Sequence, residues 1–495
     1  MNTGNRNIRF IFGLKLKQLR FDMGYSLAVL SEETGISKSY LNEIEKGKKY
    51  PKPEKIIKLS KALNTDYDEL VSIRLKKNLS PISQLIETNI LNELPLEFFG
   101  IGQSELLKLL SVAPTRLSAF VDSIIQIAKK YDIQVEQFFY AVLRSYQEMH
   151  DNYFPELENE AKIFRERIGI KPGSLSSIAI LEKYLITKCD YTIVYDGLSK
   201  YPEIKQLRYL WIKKDDGKNK LLLNKAISKT QLLFILGREA GFNYLKLHDR
   251  SSTSSWVHSH SFDQVLNNFK AYYFSSAILL HERIFLRGLM AFIARKKFNR
   301  KGVIRLINNS SSTPEAFLLR ITSLVPYYLK FNDFFFFRYN HNLRDDGYHQ
   351  TKELYASGMR NVPRIDLFSK ACQRYAAIDS LKGKTSNISK ETTVYNITYI
   401  NSGMRFLLVG ITDHMKPSEQ MNCYTGIGFL INKRFREKTM FVDDPDIPKI
   451  TVDYNWIKST SDNCNDGLEN IATLKRENLL NKIRKDLDSI TLLEK

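Results

Sequence analysis

The sequence predicts a multidomain protein with an all-α head, a helical connector, an α+β core and a β-rich C-terminal region that ends in a helix. The length of 495 residues is too great for one ordinary domain. Hydrophobic residues make up 43% of the chain and charged residues 26%, a balance that supports packed cores and excludes wholesale disorder. Helical periodicity dominates up to about residue 170, and strand and turn patterns enter after it.

The charge balance points to an anionic partner. Lysine and arginine number 74 against 54 aspartates and glutamates, which gives a formal net charge of +20. Such a surplus is typical of proteins that bind nucleic acid, and also of cationic surfaces that meet membranes. No apolar run approaches the roughly 20 residues that cross a bilayer, so a membrane-spanning segment is not expected.

Cysteine use and the first residues indicate a compartment. The cysteines are scattered without the paired spacing of a zinc ribbon or the density of a disulfide framework. They are Cys189, Cys372, Cys423 and Cys464. The N-terminal residues lack the basic, apolar and small-residue regions of a signal peptide. We therefore expect a reduced, cytoplasmic protein.

The head, residues 1–77, shows the pattern of five short helices, at 8–23, 27–34, 38–46, 54–63 and 67–73. Ser26 and Ser37 stand where an N-cap begins the second and third helices, and glycines follow the first three. Two short helices joined by a tight glycine turn can hold the second one in a DNA major groove. Residues 1–77 carry 16 lysines and arginines against 9 acids, which favours DNA over a simply solvated bundle.

The third helix and the lysines after it are the predicted DNA-binding surface. Its base-proximal candidates are Lys38, Ser39, Tyr40, Asn42 and Glu43, and the candidates for phosphate contacts are Lys46, Lys48 and Lys49. Lysine can read guanine, asparagine can read adenine, and glutamate can accept a hydrogen bond from cytosine. Lysines beside the helix suit phosphate oxygens, which position the protein without reading sequence.

This segment resembles the Cro/phage-repressor (XRE) family. Gly35 lies at the turn, Ile36 and Leu41 match its buried positions, and residues 44–47 read I-E-K-G, as the family's I-E-x-G ending does. The resemblance implies an ion pair between Arg20 and Glu45. Leu27 departs from the pattern, because the family often has glutamine after the serine that caps the second helix.

Residues 78–170 are predicted as a helical connector, with one helical stretch at about 103–168. Residues 171–345 follow as a core: a helix near 177–188, a strand at 191–195, a hairpin of 207–212 with 220–224, and helices at about 228–247, 262–294 and 313–330. This order resembles the ImmA/IrrE-type zincin-like peptidases, which carry His-Glu-x-x-His on the helix after the hairpin. The matching positions, 238–242, read R-E-A-G-F. Without the imidazoles zinc has no ligands there, so we predict a degenerate zincin core that is not an enzyme, without catalytic or metal-binding residues.

Arg238 has two open interpretations. It pairs with Glu239 or another nearby acid and fills the former metal site, or it binds the phosphate or carboxylate of an acidic effector. In the second case Lys270 on the facing helix adds charge to this effector cleft. Phe234, Phe269 and Phe274 would then form its apolar wall, and an acyl-CoA would fit.

Residues 346–495 are predicted as a β-rich ligand-sensing region. A hairpin of 393–400 with 405–412, a strand at 424–432 and a solvated last helix at 467–487 are expected, and 334–337 are expected as a buried strand or helix end. Over the whole chain this order resembles the short-chain fatty acyl regulator family, whose members can carry acyl-CoA and, in some, an iron–sulfur cluster. Cys372 matches a family cysteine, but Gln373 replaces the proline after it and Cys464 alone remains near the end, so free thiols are favoured over a cluster.

The function predicted from these features is that of a homodimeric, sequence-specific regulator of transcription. It binds double-stranded DNA, responds to a small acidic ligand and has no membrane partner and no bound cofactor. Two alternatives stay open. One is a metallopeptidase that acts on a partner regulator. The other is a phage-immunity or antitoxin-like repressor that shares the head and acts through a protein partner.

Overall fold

A computed structural model describes most of the chain. The described residues are 3–72, 135–253, 261–343, 347–356, 359, 365–382, 384, 390–399, 403–414, 417, 421–452, 483 and 485–493. The chain divides into two compact units, Met1–Phe138 and Phe139–Lys495. The predicted helical stretch at 103–134 and most of the predicted last helix lie outside the described residues.

Five helices form residues 3–72 of the first unit, as the sequence predicts. They are α1 (Thr3–Asp22), α2 (Leu27–Thr34), α3 (Lys38–Glu45), α4 (Pro53–Ala62) and α5 (Tyr67–Val71). Ser26 Oγ accepts a hydrogen bond from the backbone N of Val29 at 3.2 Å, and Ser37 Oγ accepts one from Tyr40 at 3.4 Å. Both predicted N-caps are therefore confirmed.

The head has its own hydrophobic core, drawn from all five helices. Its buried members are Phe12, Leu16, Leu30, Ile36, Leu41, Ile44, Ile56, Leu59, Leu63 and Leu70. Gly13 lets α1 approach the end of α3, because a Cβ at this position would overlap the carbonyl oxygen of Ile44. The turn between α2 and α3 uses Gly35, whose φ of 65° lies in the left-handed region that favours glycine.

Two helices follow at the boundary between the units, which falls inside the first of them, and the sequence analysis missed the break between the two. Helix α6 (Val135–Met149) ends before Asp151 and Asn152, whose φ values of 49° and 53° are incompatible with a continuous helix. Helix α7 (Pro155–Ile168) begins directly afterwards. The single stretch predicted up to residue 168 is therefore wrong at this point.

A three-stranded sheet follows helix α8 (Ser177–Cys189). Its strands are β1 (Tyr191–Val194), β2 (Tyr209–Lys213) and β3 (Asn219–Leu223), in the order β1-β3-β2. Strands β2 and β3 form the predicted antiparallel hairpin, and β1 runs parallel to β3. Two short 3-10 helices, Gly197–Lys200 and Pro202–Ile204, connect β1 to β2.

Five helices come next in the chain. They are α9 (Lys229–Tyr244), α10 (Phe262–Leu279), α11 (Glu282–Ile293), α12 (Arg300–Asn309) and α13 (Pro314–Leu329). The helix predicted over 262–294 is in fact two helices, since the chain turns at Leu280 and His281. Helix α12 was not predicted. On α13 the buried Arg320 donates to both carboxylate oxygens of Glu158 on α7, at 2.5 and 2.9 Å, and this ion pair ties the two helices together.

The larger sheet has six strands, in the order β5-β4-β8-β7-β6-β9. They are β4 (Phe334–Asn342), β5 (Gly347–Tyr355), β6 (Glu391–Tyr399), β7 (Arg405–His414), β8 (Met421–Leu430) and β9 (Lys449–Val452). Helix α14 (Ile365–Leu381) lies between β5 and β6 in the chain, and α15 (Lys433–Lys438) follows β8. The hairpin of β6 with β7 and the next strand agree with the prediction, while β5 and α14 were missed.

Strand β4 also changes the predicted domain limits. Its phenylalanines at 334–337 form a buried strand, and all four are at most 1% exposed. Because β4 pairs with β5 and β8, the predicted limit at residue 345 falls inside one hairpin of a shared sheet. The core and the β-rich region are thus parts of one unit.

The end of the chain packs against the small sheet. Residues 485–493 are helical, and Ile483, Leu487 and Ile490 are buried in a cluster with Leu210 and Leu222 of the β2–β3 hairpin. The prediction of a solvated last helix is therefore wrong for its final turns. No helix within the described ranges is long and apolar enough to cross a membrane.

Candidate nucleic-acid interface

Helix α3 presents the predicted DNA-binding residues at the surface of the head. Lys38, Ser39, Lys46, Lys48 and Lys49 are exposed, and Tyr40, Asn42 and Glu43 are half-buried. The opposite face of α3 is anchored in the core by Leu41 and Ile44, both fully buried. This division holds the helix rigidly while its polar face stays open to a partner.

Contacts within this surface involve one residue that the sequence analysis did not single out. The Nζ atom of Lys55, on α4, lies 4.0 Å from the ring centre of Tyr40. Lys49 Nζ lies 2.9 Å from the Glu43 carboxylate, and their hydrogen bond lowers the pKa of Glu43 and raises that of Lys49. Glu43 and Lys49 thus form an ion pair at the surface, with side chains 54% (Lys49) and 37% (Glu43) exposed.

A buried ion pair joins α1 to the end of α3. Arg20 Nε and Nη2 donate to the two carboxylate oxygens of Glu45 at 2.6 and 3.0 Å, and the side chains are only 7% and 5% exposed. Arg20 Nη1 also donates to the backbone oxygen of Tyr25 at 2.7 Å. The structure therefore has the contact implied by the family resemblance, with bidentate geometry.

In the second unit, the structure gives Glu239 a partner other than Arg238. Arg250 Nη2 donates to Glu239 Oε1 at 2.6 Å, and these side chains are 4% and 0% exposed. The hydroxyl of Tyr191 donates to the other Glu239 oxygen at 2.8 Å. Pairing of Arg238 with Glu239 is thus not what the structure shows, because Arg250 already satisfies this carboxylate.

Two aromatic rings hold Arg250 in place. Its guanidinium lies 3.7 Å from the ring centre of Phe242 and 4.1 Å from that of Trp211. Phe242 stands at one of the positions where the peptidase motif has histidine. The Arg250 guanidinium therefore lies beside a position that would hold a metal ligand in that motif. Sequence reasoning missed Arg250 because it lies in the loop after α9, outside the motif.

Arg238 itself has only neutral partners in the described part of the chain. Its Nη2 donates to Asn268 Oδ1 at 3.0 Å, and its guanidinium lies 5.3 Å from the ring centre of Tyr209. Its Nε is buried without a hydrogen-bond partner. Lys270 is half-buried on the facing α10. Phe274 is fully buried and cannot line a cleft, so the predicted apolar wall is wrong for this residue. Phe234 and Phe269 are half-buried.

The cysteines do not form a group where the structure describes them. Cys189 and Cys423 are free thiols, half-buried and buried respectively. The side chain of Cys372 and the whole of Cys464 lie outside the described residues. In the described portions of the chain, no three His, Cys, Asp or Glu side chains are grouped as a metal site would require.

A comparison with protein families identifies the head. Residues 16–70 match the Helix-turn-helix family (HTH_3). No curated protein matches the chain. One similar solved structure is a Mycobacterium tuberculosis transcriptional regulator, with 15% sequence identity and a TM-score of 0.43 over 64% of this chain and 88% of that one. The head of this chain, with α3 as its second motif helix, is therefore a helix-turn-helix domain.

Proposed function

We propose that the protein is a sequence-specific, DNA-binding regulator of transcription. The observation that carries this proposal is the helix-turn-helix match at 16–70, together with the exposed polar face of α3. A helix of this kind enters the major groove with its N-terminal residues at the base edges. The regulator would act in the cytoplasm, on double-stranded DNA.

The surface suggests which residues contact bases and which contact phosphates. Lys38 and Asn42 lie on the polar face of α3, where they can read guanine and adenine. Lys46 and Lys48 follow the helix, and each is exposed, so they suit phosphates on either side of the groove. Lys55 joins them through its contact with Tyr40.

Binding measurements on the full chain test this division. A DNA sequence selected from a random library serves as the specific probe and a scrambled duplex as the reference. Lys38→Ala and Asn42→Ala should each cost roughly 1–3 kcal/mol on the selected sequence and little on the scrambled one. Lys48→Ala should weaken both about equally. The proposal fails if the library yields no preferred sequence, or if all three variants behave alike.

A homodimer is part of the proposal. One short recognition helix contacts few base pairs, and two half-sites about 34 Å apart multiply the discrimination. The selected sequence should therefore be an inverted repeat bound by two chains. Scattering-based mass determination of the complex checks the stoichiometry, and a single bound chain on an unrepeated site contradicts it.

We further propose that Arg238 and Lys270 bind a small acidic effector such as an acyl-CoA. Arg238 is a permanent cation whose described partners are all neutral, so an anionic group would supply the charge it lacks. A ligand that binds the native state raises the melting temperature. An acyl-CoA should do so for the wild-type chain and for the control Lys229→Ala, which changes an exposed cation on α9, but not for Arg238→Ala. No shift with any chain length refutes the effector.

The degenerate zincin interpretation leads us to propose that the protein is not a peptidase. A general base needs a carboxylate that can reach water, and Glu239 is fully buried and bound to Arg250. Elemental analysis and a peptidase assay of the purified chain test this proposal. One tightly bound zinc per chain with zinc-dependent cleavage of a partner regulator would favour the metallopeptidase alternative instead.

A further inference from the structure

The second unit carries a surface of concentrated positive charge that the helix-turn-helix head does not explain. From residue 283 to 314 the sequence has eight arginines and lysines and no aspartate or glutamate. We call these eight residues the basic ridge: Arg283 and Arg287 on α11, Arg295, Lys296 and Lys297 in the connection, and Arg300, Lys301 and Arg305 on α12. All eight side chains are exposed.

The ridge is held in place by its one large apolar residue in the connection. Phe298 turns inward, and its ring centre lies 5.5 Å from that of Phe292 and 5.1 Å from that of Phe441. Its backbone N donates to an Asp444 carboxylate oxygen at 2.7 Å, and Asn299 caps α12 by accepting from the N of Gly302 at 2.8 Å. The cations are therefore presented by an ordered turn, so binding requires the ordering of their side chains but not of the backbone that carries them.

Internal acids neutralise little of this charge. Lys297 pairs with Asp446 at 2.9 Å, but the two side chains are 75% and 70% exposed, and such surface pairs exchange partners easily. The other seven members make no ion pair with any residue that the structure describes. An external polyanion would find the ridge almost fully available.

We propose that the basic ridge binds the phosphate backbone of duplex DNA, as a second contact that does not read sequence. This inference rests on the proposed DNA-binding function and extends it to the second unit. Phosphate binding needs accessible cations and counterion release, which the ridge provides. A membrane surface is the less fitting partner for the connection and α12, because interfacial segments place exposed large apolar residues among their cations, whereas Phe298 packs half-buried against Phe292 and Phe441. On α11 the exposed Ile284 and Met290 do accompany the cations, so the vesicle measurement below is the control for this alternative.

Salt dependence is the property that reports this contact. The full chain is compared with a fourfold variant, Lys296→Gln, Arg300→Gln, Lys301→Gln and Arg305→Gln, which leaves Lys297 and Phe298 intact. Each lost phosphate contact should lower the slope of log affinity against log salt by about 0.9. Between 50 and 200 mM salt, the wild type should therefore lose about 150-fold more affinity than the variant if all four side chains contact phosphates, and about 12-fold more if two do, on selected and scrambled DNA alike.

A matched control separates the ridge from overall charge. Lys183, Lys188, Lys200 and Lys205 are exposed cations elsewhere on the second unit, and their replacement by glutamine removes the same formal charge. This control should keep the wild-type slope. Exchange of Arg300 and Arg305 for lysine should also keep it, since phosphate binding here requires charge and not a particular side chain.

The outcomes distinguish this inference from the proposed function. If the wild-type chain selects no DNA sequence, the proposed function itself fails. If it selects one, but the fourfold variant keeps both affinity and slope, the function stands and the ridge inference is overturned. The inference is also overturned if phosphatidylserine vesicles capture the wild type and not the variant while DNA binding is unchanged. Equal melting temperatures show that both proteins are folded.

Discussion

Replacing Glu45 by alanine should severely destabilise the helix-turn-helix head. The substitution removes both carboxylate acceptors of the Arg20 guanidinium and leaves it with the carbonyl of Tyr25, at a site where the arginine side chain is 7% exposed. Breaking one partner out of a buried pair costs about 3–5 kcal/mol, because the remaining charge is desolvated without compensation. Small domains are stable by only about 5–15 kcal/mol in total.

The assay is the thermal unfolding of residues 1–77, followed by circular dichroism. In a domain of this size about 1 kcal/mol shifts the melting temperature by roughly 4–8 °C, so a fall of at least about 12 °C is expected. Glu33→Ala, which removes an exposed acid on α2, should change it little. Arg20→Met combined with Glu45→Leu should recover much of the loss, since an apolar pair leaves no buried charge.

A small effect would refute this reasoning. If Glu45→Ala melts within a few degrees of Glu33→Ala, the ion pair does not hold α1 against α3 in solution. If the double variant is as unstable as Glu45→Ala, the loss comes from packing around residue 45 and not from an uncompensated arginine.

Three further predictions concern other buried contacts. Gly13→Ala should destabilise the head by about 1–3 kcal/mol through overlap with the carbonyl of Ile44, and unchanged melting would contradict it. Arg250→Ala should lower the free energy of unfolding of the full chain by about 3–5 kcal/mol, because the buried Glu239 carboxylate loses its cation. The urea midpoint should fall accordingly, and a midpoint equal to that of the wild type would contradict this prediction. Burial raises the pKa of Cys423 to about 11, so its thiol should react with maleimide at pH 8 only after the protein is unfolded. Mass spectrometry of the labelled peptide measures this reaction, and rapid labelling of the native protein would contradict the burial of Cys423.

The head could be read from the sequence because its signals are local. Ser26 and Ser37 cap the helices that follow them, and Gly35 ends α2 in the left-handed region, so each boundary depends on neighbours in the chain. The positions of the polar residues on α3 follow from helical spacing alone. The contact between Lys55 and Tyr40 could not be read in this way, because it depends on how α4 packs beside α3.

The second unit was harder because its signals come from tertiary packing. The phenylalanines at 334–337 alternate between two buried faces, so no polar residue marks the strand's period of two. Strand β5 is largely polar and lies at the sheet edge, which gives it the composition of a loop. Arg250 lies outside the helix that carries its partner, and only the folded loop brings it to Glu239.

The order of strands in the larger sheet has a consequence for synthesis on the ribosome. Strand β4 can pair with β5 as soon as both strands have left the ribosome. The other edge of β4 stays unpaired until β8 is synthesised, and β8 follows α14, β6 and β7 in the chain. At about 5–20 residues per second, this delay is on the order of 10 s. During that time four consecutive phenylalanines border an open strand edge, the kind of segment that associates between chains. Nascent chains that stop before β8 should therefore aggregate or be held by chaperones, whereas chains that pass Leu430 can close the sheet.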